Sequence, residues 1–182
     1  MLKKIVLAVI LWAGSAWSYD IVIRNGRIID GTGSPWYSGD IGIRGGRIAA
    51  IGHLNAAPAR RRIDATGLVV APGFIDMLGQ SDLNILVEPR LPSKIFQGIT
   101  TEITGEGETV APLTDAIIQA DRPYYDHVGI TADWRTLAQY LTRLEKQRIG
   151  INFATYVGAT QIRRVVLGDG DVQPTPAQLE RM

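Results

Sequence analysis

From Ala71 onward, three apolar or β-branched runs each close on a glycine-bearing polar string, with other segments between them. Residues 74–78 run into Gly79-Gln80-Ser81-Asp82. Residues 99–104 run into Gly105-Glu106-Gly107-Glu108, and residues 151–157 into Gly158-Ala159-Thr160-Gln161. Strands alternating with helices point to a parallel sheet or barrel, because parallel neighbours need a long crossover and a helix supplies it. In such folds the chemistry collects at the C-terminal ends of strands, and the three strings are those ends. The spacing predicts a short helix over residues 92–97, with Pro92 in its first turn and Gly98 ending it. A longer amphipathic helix is predicted over residues 134–148. Trp134, Leu137, Leu141 and Leu144 form its stripe, Thr131 or Asp133 caps it, and Gly150 ends it. Tyr124-Tyr125-Asp126-His127 reads as a loop before that helix.

Residues 19–70 follow a different period. Ile-x-Ile-Arg-x-Gly-Arg-Ile occurs at Ile21 and again twenty residues later at Ile41. Each copy reads as a strand, a two-residue turn at Asn25-Gly26 or Gly45-Gly46, and a return strand. Residues 63–65 lead through Thr66-Gly67 into residues 68–70 as a third strand pair. The segment Asp30-Gly31-Thr32-Gly33-Ser34-Pro35 is a loop by composition. Arg60-Arg61-Arg62 reads as a solvated run before an edge strand, and His53 as a surface histidine. This part forms a small sheet with no chemistry of its own.

The first eighteen residues carry Lys3 and Lys4, then ten apolar residues, then Ala16-Trp17-Ser18. That is the order of an export signal, and the apolar run is too short to span a bilayer. The mature chain is expected to begin near Tyr19, without a membrane anchor, in the periplasm or secreted. The 182 residues are 46% hydrophobic, enough for a core, and the net charge of +1 argues against nucleic acid as a partner. With no cysteine and two histidines, the chain cannot form a thiolate nucleophile or a histidine-rich metal site alone. Thr175-Pro176-Ala177-Gln178 opens a helix that reaches Met182 within two turns. The expectation is therefore the N-terminal part of a longer protein, with a free-standing small open α/β sheet as the other reading.

The pieces DIVIRNGRIIDGTGSP, DIGIRGGRIAAIG, IDATGLVVAPGFID, SKIFQGITTEITG and APL, in this order, resemble the opening of the amidohydrolase superfamily. Within it the chain is similar to the N-acyl-D-amino-acid deacylase (D-aminoacylase-like) group, and weaker similarity continues through YVGATQIRRVVLG. The resemblance implies an α/β fold. A small N-terminal β-sandwich part (residues 19–70) is followed by the first strands and helices of a metal-dependent (β/α)8 barrel (residues 71–182). It also implies hydrolysis of a non-peptide amide C–N bond in a small-molecule substrate. A divalent metal, usually zinc, would polarise the carbonyl and acidify a bound water.

The family normally carries a His-x-His pair after Gly-Phe-Ile-Asp, where residues i and i+2 face the same way. Here those positions are Leu78 and Gln80. An Asn-Cys-Gly string is replaced by Glu106-Gly107-Glu108, and a histidine position after the third strand is Ala159. Two accounts follow. In one the site is rebuilt: Glu106 serves as a metal ligand with Glu108 or Asp82 helping, Gln80, Asp82 and Glu108 line the substrate site, and histidines beyond residue 182 complete the set. In the other the metal is lost and a non-catalytic barrel binds a small polar ligand. Of the remaining candidates, Asp76 is structural and buried only if paired. Lys94 lies away from any strand end, and His127 is an improbable ligand.

Overall fold

The computed structural model describes residues 18–182 and divides into two compact units, one ending at Pro72 and one beginning at Gly73. The segment read as an export signal lies, but for Ser18, outside the described residues. No helix among the described residues is long and apolar enough to cross a membrane.

The first unit is one five-stranded sheet. Its strands are β1 (Tyr19–Ile28), β2 (Tyr37–Arg44), β3 (Arg47–Gly52), β4 (Ala59–Asp64) and β5 (Val69–Val70). The β2–β3 hairpin turns at Gly45 and Gly46, both at positive φ, as expected. The other two hairpins do not form. At Asn25-Gly26 the chain bulges and continues: Asn25 has φ 60°, its N–H donates to Asp40 Oδ1 at 2.9 Å, and its amide donates to Asp64 Oδ1 at 3.0 Å. Those two partners make an αL residue a bulge inside one long strand instead of a turn between two. The kinked β1 then offers two successive stretches of its free edge, the other edge being paired with β2. Both β4 and β5 pair with it in parallel, one on each side of the bulge, and not with each other. Arg60, Arg61 and Arg62 lie in the edge strand β4 itself, where Arg62 donates to the Asn55 and Ala57 carbonyls.

The second unit carries a parallel three-stranded sheet in the order β6 (Phe74–Asp76), β7 (Ile99–Thr104), β8 (Asn152–Thr155). The β6–β7 crossover contains α1 (Asn84–Val87) and α2 (Pro92–Ile95), with Pro92 in the first turn and Gly98 at φ 78° after it. The β7–β8 crossover contains α3 (Asp115–Val128) and α4 (Leu137–Gln147). The loop expected at residues 124–127 is the last part of α3. Pro123 lies inside that helix and, read as punctuation, hides it in the sequence. The Thr114 hydroxyl accepts from Ile117 N–H and starts the helix, and Gly129 in αL ends it. Helix α4 is shorter than expected because Thr136 and Gln139 form a capping box, and Arg148 in αL, not Gly150, stops it. The chain continues through α5 (Ala159–Leu167) and α6 (Pro176–Arg181), the latter opened by the Thr175–Gln178 capping box.

The core of this unit joins Ile85, Leu86, Leu113, Ile117, Tyr125, Trp134, Tyr140 and Leu144. The expected stripe faces this core: Trp134 and Leu144 are buried and Leu137 and Leu141 pack against it, but Trp134 precedes the helix and Tyr140 takes the central place. Trp134 Nε1 donates to the Val110 carbonyl at 2.7 Å, and its ring lies 5.4 Å from that of Tyr140.

Candidate active site

The C-terminal ends of β6 and β7, with α3 and α5, enclose a cavity of about 680 Å3. Gln80, Asp82, Glu106 and Glu108 all line it. The four residues expected at the site from their places in two polar strings therefore share one wall. Leu78 and Ala159 are not part of it and are exposed.

Each of these positions is held from below. Glu102, fully buried on β7, accepts from Ser81 N–H at 3.1 Å, which pins the backbone between Gln80 and Asp82. A Cβ on Gly79 would overlap the Glu102 side chain, so only glycine lets that strand end lie against it. Lys94 from α2 joins Asp76 Oδ2 at 2.6 Å and Glu102 Oε1 at 3.1 Å. Asp76 is paired, as a half-buried carboxylate must be, and the pairing lowers its pKa. Lys94 has a structural role beneath the site. Burial works against its charge, but the two carboxylates raise its pKa on balance. From the core side, the Tyr140 hydroxyl donates to the Asp82 carbonyl at 2.5 Å.

The Glu106 loop is packed against the end of β8. A Cβ on Gly158 would overlap the Gly107 carbonyl oxygen, and Gly105 sits at φ 85°. Gly107 itself faces open space.

Asp82 is the electrostatically unusual member. Burial pushes its pKa up, against the pull of hydrogen bonds from backbone N–H groups, and the charges of Glu102 and Glu106 push it further. Its Oδ1 accepts from Leu83 N–H at 3.2 Å. A carboxylate that is reluctant to ionise, in a cavity, is a candidate for proton transfer.

The far wall was not legible in the sequence. Gly158 caps α5 directly, so the string expected as a strand end is the first turn of a helix. Gln161 is buried there and donates to the Pro112 carbonyl at 2.7 Å. Arg164 on the same helix pairs with Asp121 of α3 through two bonds of 2.6 Å and with Asp169 at 2.5 Å. Asp121 first, then Asp169, raises the Arg164 pKa. Burial first, then Asp121, pushes Tyr125 up to about 12. The apolar spacing of Ile162, Val165 and Val166 is the signal that could have shown this helix.

The donors the site offers a metal are oxygens only, and no group of three or more His, Cys, Asp or Glu gathers to hold an ion among the described residues. Glu106 and its neighbours can contribute to a metal site but do not make one unaided. His127, in the last turn of α3, is exposed and does not line the cavity.

No protein-family model matches the chain. The N-acyl-D-glutamate deacylase of Alcaligenes xylosoxydans xylosoxydans is 42% identical over 177 residues, which is 90% of this chain and 34% of that protein. The crystal structure of N-acyl-D-glutamate deacylase from Bordetella bronchiseptica, complexed with zinc and a phosphonate inhibitor that mimics the tetrahedral intermediate, superposes with a TM-score of 0.77 at 39% identity. It covers 90% of this chain and 34% of that one. A D-aminoacylase structure, described as defining a novel subset of amidohydrolases, gives 0.77 at 34% identity with the same coverage. The chain spans about a third of the length of these relatives. The mixed α/β architecture is therefore theirs: a β-sandwich part, seen here as one sheet, then the first strands and helices of the barrel. Nothing in the comparisons supports the non-catalytic alternative.

Proposed function

We propose, from a chain homologous over nine-tenths of its length to the D-aminoacylase group of amidohydrolases, that the whole protein hydrolyses the amide bond of an N-acyl amino acid. The observation that carries this reading is the meeting of Gln80, Asp82, Glu106 and Glu108 in one cavity at parallel strand ends. Asp82 is placed for proton transfer, since burial raises its pKa above that of a free aspartate. The Gln80 amide can donate to or accept from the substrate amide. Glu106 contributes one oxygen donor to a divalent ion, and zinc would draw its nitrogen ligands from beyond these residues. Bound there, such an ion supplies polarisation of the carbonyl and an acidified water.

Export to the periplasm or the outside belongs to the same reading, on the charge and hydropathy of residues 1–18. The test uses the full-length protein: release of free amino acid from N-acetyl-D-amino acids, with metal content measured for the wild type and Glu106→Gln. We expect hydrolysis, and a fall in metal affinity of about tenfold or more in the variant. Absence of hydrolysis would overturn the function, and unchanged metal content would remove Glu106 from the ligand set.

A further inference from the structure

The far wall of the cavity carries two polar side chains that are almost wholly buried and yet line open space: Gln161 on α5, 2% exposed, and Tyr125 on α3, 7% exposed. Each lies one turn from the Asp121–Arg164 pair that ties the two helices together, Tyr125 after Asp121 and Gln161 before Arg164. The Gln161 amide has a fixed sense. Its Nε2 donates to the Pro112 carbonyl at 2.7 Å, and a carbonyl only accepts, so Oε1 cannot take that place. Neither Gln161 Oε1 nor the Tyr125 hydroxyl has a hydrogen-bond partner among the described residues. Nor is either closed off from solvent, as the unpaired Glu102 Oε2 and Thr104 Oγ1 are. Burial keeps the Tyr125 phenol protonated, so it is a donor; Asp121 and, at the strand ends, Asp82 add to the effect. One wall therefore offers a carbonyl acceptor and a hydroxyl donor that no protein group satisfies. Buried polar groups left unpaired are costly, and a few placed ones of this kind are what orient a ligand in a pocket.

From this pair, and resting on the deacylase reading above, we infer that the substrate is an N-acyl amino acid whose side chain ends in a primary amide. Its NH2 donates to Gln161 Oε1, and its C=O accepts from the Tyr125 hydroxyl. A side-chain carboxylate of the same size has no hydrogen to donate and sets oxygen against oxygen at Gln161. A hydrocarbon side chain leaves both groups unpaired. Sites that hydrogen-bond their substrate reject analogues lacking the group far better than apolar pockets do. The preference separates this chain from the relatives named for N-acyl-D-glutamate, although their sequences match it at 42% and 39%.

The experiment uses the full-length protein and measures kcat/KM for N-acetyl-D-glutamine and N-acetyl-D-asparagine. Their counterparts are N-acetyl-D-glutamate, N-acetyl-D-aspartate and N-acetyl-D-leucine. The α-carboxylate is common to all of them and cancels in the ratios. We expect the better-fitting amide to exceed its carboxylate counterpart and the leucine derivative by about tenfold or more. Tyr125→Phe removes only a hydroxyl without a protein partner, so thermal unfolding should hold while that ratio falls severalfold. Gln161→Leu should lower the ratio likewise. Equal or better use of the carboxylate or leucine derivatives would overturn the inference, as would a preference that neither variant moves. If no compound is hydrolysed, the deacylase reading falls. Calorimetric binding of D-glutamine and D-asparagine against D-glutamate and D-aspartate, in wild type and Tyr125→Phe, then still decides the amide preference.

Discussion

A carboxylate partly shielded from water beside two others keeps its proton to higher pH than a free aspartate, and half-buried Asp82 is such a group. The sign of its effect on stability follows from linkage. Its folded pKa lies above the unfolded value of about 3.9, so its contribution is fully present below that value and lost as pH rises through the folded pKa. Asp82→Asn is therefore expected to raise the melting temperature at pH 7 and to leave it unchanged at pH 3. Thermal unfolding at the two pH values checks this. If Asp82 transfers a proton, the same variant lowers kcat by about 100-fold or more. A more stable, inactive variant is the expected pair of results; full activity would remove Asp82 from the chemistry. That Gln80, Asp82, Glu106 and Glu108 stand together was legible, because strand ends in a β/α alternation converge. The burial of Asp82 was not, since it depends on Tyr140 and Glu102, which are 58 and 20 residues further along the chain.

At the scale of elements, the loop after β7 depends on a close approach by the start of α5. Gly158 has φ −68°, a conformation open to any residue, so only space restricts it. Gly158→Ala is expected to push the Gly107 carbonyl and Glu106 out of place, and kcat/KM should fall about tenfold or more in amide hydrolysis. Gly107→Ala, facing open space, should leave the fold and thermal stability unchanged, which an unfolding curve reads directly. The reverse pattern would mean that the two loops do not stack in solution. The sequence marked both glycines as loop residues, but it could not say which one another backbone touches. Helix α3 shows a related limit. Pro123 argues locally for a break, yet the Thr114 cap and the burial of Ile117 and Tyr125 on either side hold the helix together.

For the whole molecule, the export reading has a simple consequence. The native mature protein should begin near Tyr19, about where β1 starts, and N-terminal sequencing of material from the producing cells would show it. An N-terminus at Met1 on the mature protein would remove the reading of residues 1–18 as a cleaved signal. Tyr19 already pairs with Ala59 in the sheet, so a cleavage more than a few residues later would take away part of β1.

What the amino-acid order determined by itself is periodic or local: the change from β-strands to β/α alternation after residue 70, the glycine hairpin at residues 45–46, the capping box at Thr175, and the polar strings that follow the first two strands of the second unit. These follow from short-range sterics and from which face of an element is apolar. Only the tertiary structure decided that Asn25 bulges instead of turning, because Asp40 and Asp64 reach it from 15 and 39 residues away. The same holds for the cavity's far wall, where Asp121 and Arg164, 43 residues apart, meet. Such contacts carry no periodic signature. They depend on which residues the packed elements bring within hydrogen-bonding distance, and a local reading of the chain does not contain that information.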